Sequence, residues 1–169
     1  MKSLRFFLSC TAVFLLITLA IPSFAATKVN GNNKAKNTKL EGLKKISDDK
    51  LFKDTNKINA FCSNFLTDIT ANNVDKAFKN LNAISILPEK EMNYLKKQIS
   101  TQLVRVKARY GKPIAHEFVK KEQLAPSILK FTYLLKCEKH FIIWTFYFYK
   151  PKNKWLFNQI QFSDQVKTL

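Results

Sequence analysis

The hydrophobic and polar positions of the chain change their period once, near residue 112. Before that point, apolar residues recur every three or four positions, which is the period of amphipathic helices. These stretches run from Phe52 to Thr70, from Val74 to Ala83 and from Pro88 to Tyr110. After it, apolar residues alternate with polar ones or form short unbroken runs, as they do in β-strands. The pattern therefore predicts three helices followed by strands.

Local signals mark the ends of two of these helices. Asn73 directly precedes the second helix and belongs to a residue type that caps helix N-termini. Pro88 suits the start of the third helix, and Glu89 complements the positive end of its dipole. Gly111, followed by a Lys-Pro pair, predicts that the third helix ends there.

The second half of the chain predicts four strands joined by short polar turns. They are Ile114–Gln123, Ile128–Glu138, Phe141–Tyr149 and Trp155–Phe162. Short turns favour an antiparallel meander, and separate runs of helices and strands indicate the α+β class. The expected architecture is three N-terminal helices packed on a curved four-stranded antiparallel sheet that wraps around the long third helix.

Two details of the last strands follow from alternation. The third strand, Phe141–Tyr149, is apolar on both sides, which predicts a central place in the sheet. In the last strand, Leu156, Ile160 and Phe162 fall on one side, with Trp155 and Phe157 on the other. The aromatic residues of this hairpin leave three hypotheses open: plain core, a dimer or partner surface, or a pocket for a small apolar ligand. The predicted ligand or partner surface consists of Trp144, Phe146, Phe148, Trp155 and Phe157.

The aromatic spacing from Trp144 to Phe162 reads W-x-F-x-F-Y-K-x(4)-W-x(4)-I-x-F. Together with three helices, the last ending in Tyr-Gly, it resembles the nuclear transport factor two-like superfamily of cone-shaped, cystatin-like folds. The resemblance covers residues 52–166 and implies a small secreted α+β protein that binds through its concave sheet. The superfamily includes enzymes such as ketosteroid isomerase and also periplasmic assembly domains, so the resemblance does not select one activity.

Residues 1–25 are predicted to form a cleaved secretory signal. Lys2 and Arg5 precede the apolar run Phe6–Ile21, and the small residues Ser23 and Ala25 suit cleavage after Ala25. The alternative is an uncleaved inner-membrane anchor, because the run is nearly long enough to span a bilayer. Residues 26–50 predict a flexible Lys/Asn-rich leader and residues 51–169 a single domain. The expected location is the periplasm or the exterior of the cell.

The net charge of the chain is +17, and 26 of its 29 basic residues are lysine. Such an excess favours solubility and attraction to anionic surfaces. Arginine, whose planar fork suits specific phosphate recognition, occurs only at Arg5, Arg105 and Arg109. The composition and the predicted export disfavour nucleic acid as a partner.

Few residues point to chemistry. Cys62 and Cys137 both fall on apolar sides of predicted elements, so a disulfide and a pair of buried thiols stay open. The chain has no glycine-rich phosphate loop, no CxxC and no HExxH, so we expect no cofactor and no metal site. The weak candidates for acid–base catalysis are His116, Asp164 and Tyr133.

These observations favour a secreted or periplasmic, non-enzymatic binding or assembly module that uses the aromatic sheet face. Its expected partners are a second copy, an envelope protein or a small apolar ligand. One alternative is a small isomerase, dehydratase or hydrolase with an acid–base site in the cone. Another is a membrane-anchored subunit of an envelope secretion complex.

Overall fold

The computed structural model describes residues 45–166 of the chain. It contains three helices followed by four strands, which confirms the predicted α+β class. The helices are α1 (Thr55–Thr70), α2 (Val74–Ile84) and α3 (Glu89–Tyr110), and the strands are β1 (Pro113–Ala125), β2 (Ile128–Cys137), β3 (Phe141–Tyr149) and β4 (Leu156–Ser163). The predicted signal and most of the predicted leader lie outside the described residues.

The four strands form one antiparallel sheet in the order β1-β2-β3-β4. This order confirms the predicted meander and the central place of β3. The tight turn after β2 is secured because the Lys139 N–H donates to the Tyr110 carbonyl at 2.9 Å and the Glu138 N–H donates to the Lys112 carbonyl at 3.2 Å. The end of α3 and the β2–β3 turn are therefore joined by backbone hydrogen bonds.

One side of the sheet, here called the helix-facing side, carries most of the core. On β2 and β3 it pairs Phe131 with Phe146 and Tyr133 with Trp144. Phe65 of α1 packs onto this side, with ring centroids 5.8 Å from Trp144 and 5.6 Å from Phe146. The outer side presents the alternate residues of the same strands, among them Thr132 and Thr145.

Helix α1 is the main cover of β1 and β2. α1 packs on β1 and β2, α2 packs on α1 and β4, and α3 packs on α2 while it approaches the strands at only a few points. Helix α3 instead faces the β3–β4 end of the sheet, where its C-terminal half lies opposite Ile142 and Phe162. The reason for the position of α1 lies in its stripe, where Ile58, Cys62, Phe65 and Leu66 are all buried and Phe65 is large enough to fill the space over β3.

Two local predictions also need correction. Asn73 occupies the N-cap position of α2, but its side chain makes no capping hydrogen bond. In β4, Phe157 lies opposite Phe148, while Gln159 lies opposite the neighbouring Tyr147. One extra residue at this register shift puts Phe157 on the helix-facing side with Ile160, where strict alternation had placed it on the other.

Gly111 ends α3 for a steric reason. Its φ is 82°, a left-handed conformation that favours glycine, and its N–H donates to the Lys107 carbonyl at 3.1 Å. A Cβ at this position would also collide with the Glu138 side chain. None of the described helices has the length and apolar character needed to cross a bilayer.

The aromatic contacts predict a large cost for truncating Phe146. Phe146→Ala removes a fully buried ring that contacts Phe65 and Tyr133, so the free energy of unfolding is expected to fall by about 3–5 kcal/mol. Urea denaturation followed by circular dichroism measures it. Tyr149→Ala, on the same strand but 41% exposed, is the control and should change the value by no more than about 0.5 kcal/mol. Equal losses in the two variants would contradict this assignment of the core.

Candidate functional site

A cavity of about 380 Å³ lies between the C-terminal half of α3 and the β3–β4 end of the sheet. Helix α3 contributes one face, with residues spaced three and four apart, and the strands contribute the opposite wall. The lining residues are Gln102, Arg105, Val106, Arg109, Tyr110, Ile142, Phe162, Ser163 and Asp164. Its volume falls within the range of ligand pockets, roughly 300–1,000 Å³.

The cavity exists because α3 stands away from the strands in this region. Met92, Leu95 and Ile99 of its first half are buried in the core. In its second half, Val106 alone is buried among the residues that the structure describes. At its C-terminal end, the Tyr110 hydroxyl donates to Asp164 Oδ2 at 2.6 Å. The helix is therefore held in the core by its first half and at Asp164 by its last residue, and it leaves space between these two attachments.

Charged and apolar groups share the lining. Val106, Ile142 and Phe162 form its apolar part, and Phe162 stacks on the buried Trp144 at 5.2 Å between ring centroids. Arg105 and Arg109 bring two positive charges from successive turns of α3. Asp164 supplies one negative charge, so the lining carries a net charge of +1.

The two arginines are not equivalent. Arg109 Nη1 lies 3.9 Å from Asp164 Oδ2, and its guanidinium sits 5.0 Å from the centroid of the Tyr110 ring. Arg105 has no hydrogen bond or ion pair within residues 45–166, and its side chain is exposed. Arg105 is therefore the group whose five donors are available to an anion.

His140 supports the Asp164 end of the cavity. Its Nε2 lies 3.2 Å from the Asp164 carbonyl oxygen, and its ring is 4.6 Å from the Tyr110 ring. The connection between β2 and β3 thereby reaches across to the end of β4. Together these contacts hold Asp164 in place beside the cavity.

The other predicted catalytic residues form a separate cluster between α1 and the first two strands. His116 Nε2 lies 2.9 Å from Ser63 Oγ, and the Tyr133 hydroxyl donates to the Asn59 carbonyl at 2.9 Å. The His116 and Tyr133 rings are 6.3 Å apart. Burial lowers the pKa of His116 and raises the pKa of the Tyr133 hydroxyl, with the nearby Cys62 thiol adding to the latter shift. Both groups are therefore held in their neutral forms.

A neutral His116 can accept the Ser63 proton, but the other parts of a hydrolytic site are missing from the described region. No described carboxylate hydrogen-bonds to His116. Ser63 lies in the middle of α1, where the backbone N–H groups are used within the helix and do not form an oxyanion hole. The cluster attaches α1 to the sheet.

His116 and Asp164 do not meet. His116 lies on β1 and Asp164 directly follows β4, and these are the two opposite edges of the sheet. With about 4.8 Å between neighbouring strands, three steps separate the edges by roughly 14 Å. His116 and Asp164 therefore do not form the acid–base pair that the enzyme hypothesis requires.

The five aromatic residues predicted as a ligand or partner surface are interior. Trp144, Phe146, Phe148 and Phe157 have no exposed area and Trp155 is 5% exposed. They lie under the helices because α1 and the segment before it place Phe52 and Phe65 against them. The hypothesis of a surface at these residues is corrected to the plain-core alternative.

Cys62 and Cys137 are both buried and both free in the structure. Burial raises the pKa of each thiol, and the neighbouring Glu138 charge adds to the shift at Cys137. Neither is therefore activated as a nucleophile. Within the described part of the chain, no three His, Cys, Asp or Glu side chains cluster in a way that could hold a metal ion.

Sequence reasoning missed Arg105 and Arg109 as site residues. The small number of arginines argued against anion recognition. The available signal was their spacing, because two of the three arginines lie four residues apart on one helix. What the pattern could not show is that this helical face borders a gap. Comparison with models of known protein families, with curated proteins and with solved structures found no match for the chain.

The partial burial of His116 predicts a pH-dependent stability. Because the folded pKa lies below the unfolded value of about 6.5, the unfolded chain takes up the proton first as pH falls. The free energy of unfolding should therefore decrease as pH falls from about 7 through the folded pKa, and His116→Gln should show a shallower decrease. Urea denaturation at several pH values tests this, and parallel curves for the two proteins would contradict it.

The free thiols predict a labelling pattern. Chain unfolded without reductant should be alkylated by iodoacetamide at both Cys62 and Cys137, as read by peptide mass spectrometry. In the folded protein both should react slowly, with Cys62 (0% exposed) slower than Cys137 (7%). Failure of both cysteines to label after unfolding would contradict free thiols.

Proposed function

We propose that this protein is a non-enzymatic binding module that holds a small amphipathic anion in the cavity between α3 and the β3–β4 end of the sheet. One observation carries the proposal. Both arginines of the domain, in a chain whose other basic residues there are lysines, line the same partly apolar cavity. Arginine is suited to bidentate recognition of carboxylate and phosphate.

The lining suggests how such a ligand binds. The apolar body lies against Val106, Ile142 and Phe162, and the anionic head meets the free guanidinium of Arg105. Arg109 is already engaged by Asp164 and Tyr110, so it adds a positive field near the head group more than a direct contact. The same Asp164 carboxylate repels a second anionic head, which favours ligands with one anionic head.

This proposal keeps part of the expectation from the sequence. A secreted or periplasmic binding module stays our hypothesis, as does the resemblance to the nuclear transport factor two-like superfamily. The site moves from the aromatic sheet face to the border of α3, and the ligand gains an anionic head. The enzyme hypothesis loses the support of a His116–Asp164 pair. The membrane-anchored alternative depends on residues outside the described range and stays a prediction.

Binding is tested with probes that share one apolar tail. Octanoate and octyl phosphate, titrated into the protein by calorimetry, are expected to bind more tightly than octanol or octylammonium. Arg105→Gln should weaken binding of the two anions about 10- to 100-fold, since a charge-assisted hydrogen bond contributes roughly 1.5–3 kcal/mol. Arg105→Lys should retain part of the affinity because it keeps the charge and loses the fork.

The matched control is Lys97→Gln, which removes an exposed positive charge from α3 outside the cavity lining. It should leave the affinities unchanged. Equal binding of octanol and octanoate would contradict recognition of the anionic head. Equal losses in Arg105→Gln and Lys97→Gln would assign the effect to overall charge and not to this cavity.

A further inference from the structure

Strand β1 has an exposed edge that the cavity does not explain. It is the longest strand of the sheet, with 13 residues, and it lies at the end of the strand order. β2 pairs with one of its sides, and no described residue forms a backbone ladder with the other. Such an edge presents unpaired N–H and C=O groups to another strand.

The edge is also apolar. Of the nine large hydrophobic residues that are exposed among residues 45–166, four belong to β1: Ile114 (60%), Phe118 (45%), Val119 (38%) and Leu124 (55%). Phe118 and Val119 stand next to each other near the middle of the strand. An exposed apolar edge of this length is either an interface or an aggregation hazard.

β1 has three register shifts relative to β2, and the middle one gives the centre of the strand an unusual arrangement of charges. Glu117 lies opposite Leu134 and Lys120 lies opposite Thr132, which are two positions apart on β2. Side chains two positions apart on a strand share a side, so Glu117 and Lys120 project from the same side of the sheet. The extra residue of the shift, between Phe118 and Lys120, makes this possible. An acidic and a basic residue therefore flank the exposed Phe118–Val119 pair on one side.

We infer that β1 pairs antiparallel with β1 of a second copy of this chain, about a two-fold axis between Phe118 and Val119. In this register Glu117 of each subunit lies opposite Lys120 of the partner subunit, on the same side of the sheet. The apolar pair Phe118–Val119 meets the same pair of the other copy. Both strands carry the extra residue of their middle shift at the axis, so these two shifts offset each other and the sides stay in phase from Ala115 to Glu122.

A second copy fits this edge because the strand is its own complement. Opposite charges and apolar residues exchange places under the two-fold, as an isologous interface requires. The existing ion pairs do not prevent it. Glu117 Oε2 is 3.4 Å from Lys136 Nζ and Lys120 Nζ is 3.3 Å from Glu122 Oε1, and all four side chains are at least 34% exposed. Such surface pairs are weak, and a carboxylate accepts more than one donor.

The test is the association of protein purified from cells that express the full chain, measured by sedimentation velocity from about 1 to about 100 µM. The wild-type protein should change from monomer to dimer over a concentration range that gives a dissociation constant. Glu117→Lys and Lys120→Glu should each raise this constant at least about tenfold, since each places like charges across the axis twice. The double variant E117K/K120E should restore it. An equimolar mixture of the two single variants should form heterodimers, because every facing pair is then of opposite charge.

Lys79→Glu, on the exposed face of α2, is the control for a change of charge alone and should leave the dissociation constant unchanged. Circular dichroism and urea midpoints must match the wild type for each variant used. A wild-type protein that stays monomeric throughout would overturn the inference. So would a dimer that both single variants leave intact, or one that the double variant fails to restore. These outcomes are independent of anion binding, which the monomer's cavity supplies by itself.

Discussion

The packing of Phe65 against the central strands is the interaction on which the rest of the structure depends. Its ring lies 5.8 Å from Trp144, 5.6 Å from Phe146 and 5.6 Å from Phe78. One side chain thus connects α1, α2 and β3. Without it, the aromatic side of β3 would face water, and the apolar area that stabilises the domain would be lost. Because Phe65 covers this side, Trp144 and Phe146, which were predicted to belong to a binding surface, lie in the core.

The packing of the helices on the sheet determines where space for a ligand remains. Because α1 packs over β1 and β2, α3 packs on α2 and faces the β3–β4 end of the sheet. Met92, Leu95 and Ile99 of its first half are buried, while its second half is held at Tyr110 by the hydrogen bond to Asp164. The gap between these attachments is lined by the side of α3 that carries both arginines. The cavity and the core are therefore consequences of one packing arrangement. The exposed edge of β1 has a different origin, since a meander that does not close leaves its first strand unpaired on one side.

The sequence predicted the elements well where the signal is local. The stop of α3 at Gly111 was predicted because only glycine accommodates its positive φ without strain. Predicted and observed bounds agree for β3 and for the start of β2, and the other strand ends differ by one or two residues. The predictions that failed each depended on a distant residue. Asn73 has the right type for a cap but makes no capping bond, and Phe157 changes side because β4 carries an extra residue relative to β3.

The candidate site was less predictable than the fold, and the reason is geometric. Alternation and helical period show which residues share a side, and that was enough for the class, the order of elements and the strand pairing. They do not show which side is covered. Trp144 and Phe146 could have lined a pocket until Phe65 was seen to fill the space above them, and Arg105 resembled other solvated charges until the gap beside α3 appeared. The sequence by itself determined the elements, because these follow from short-range sterics and hydrophobic period. Only the tertiary structure decided which surfaces are interior and which remain open, because that depends on side-chain volumes from segments far apart in the chain.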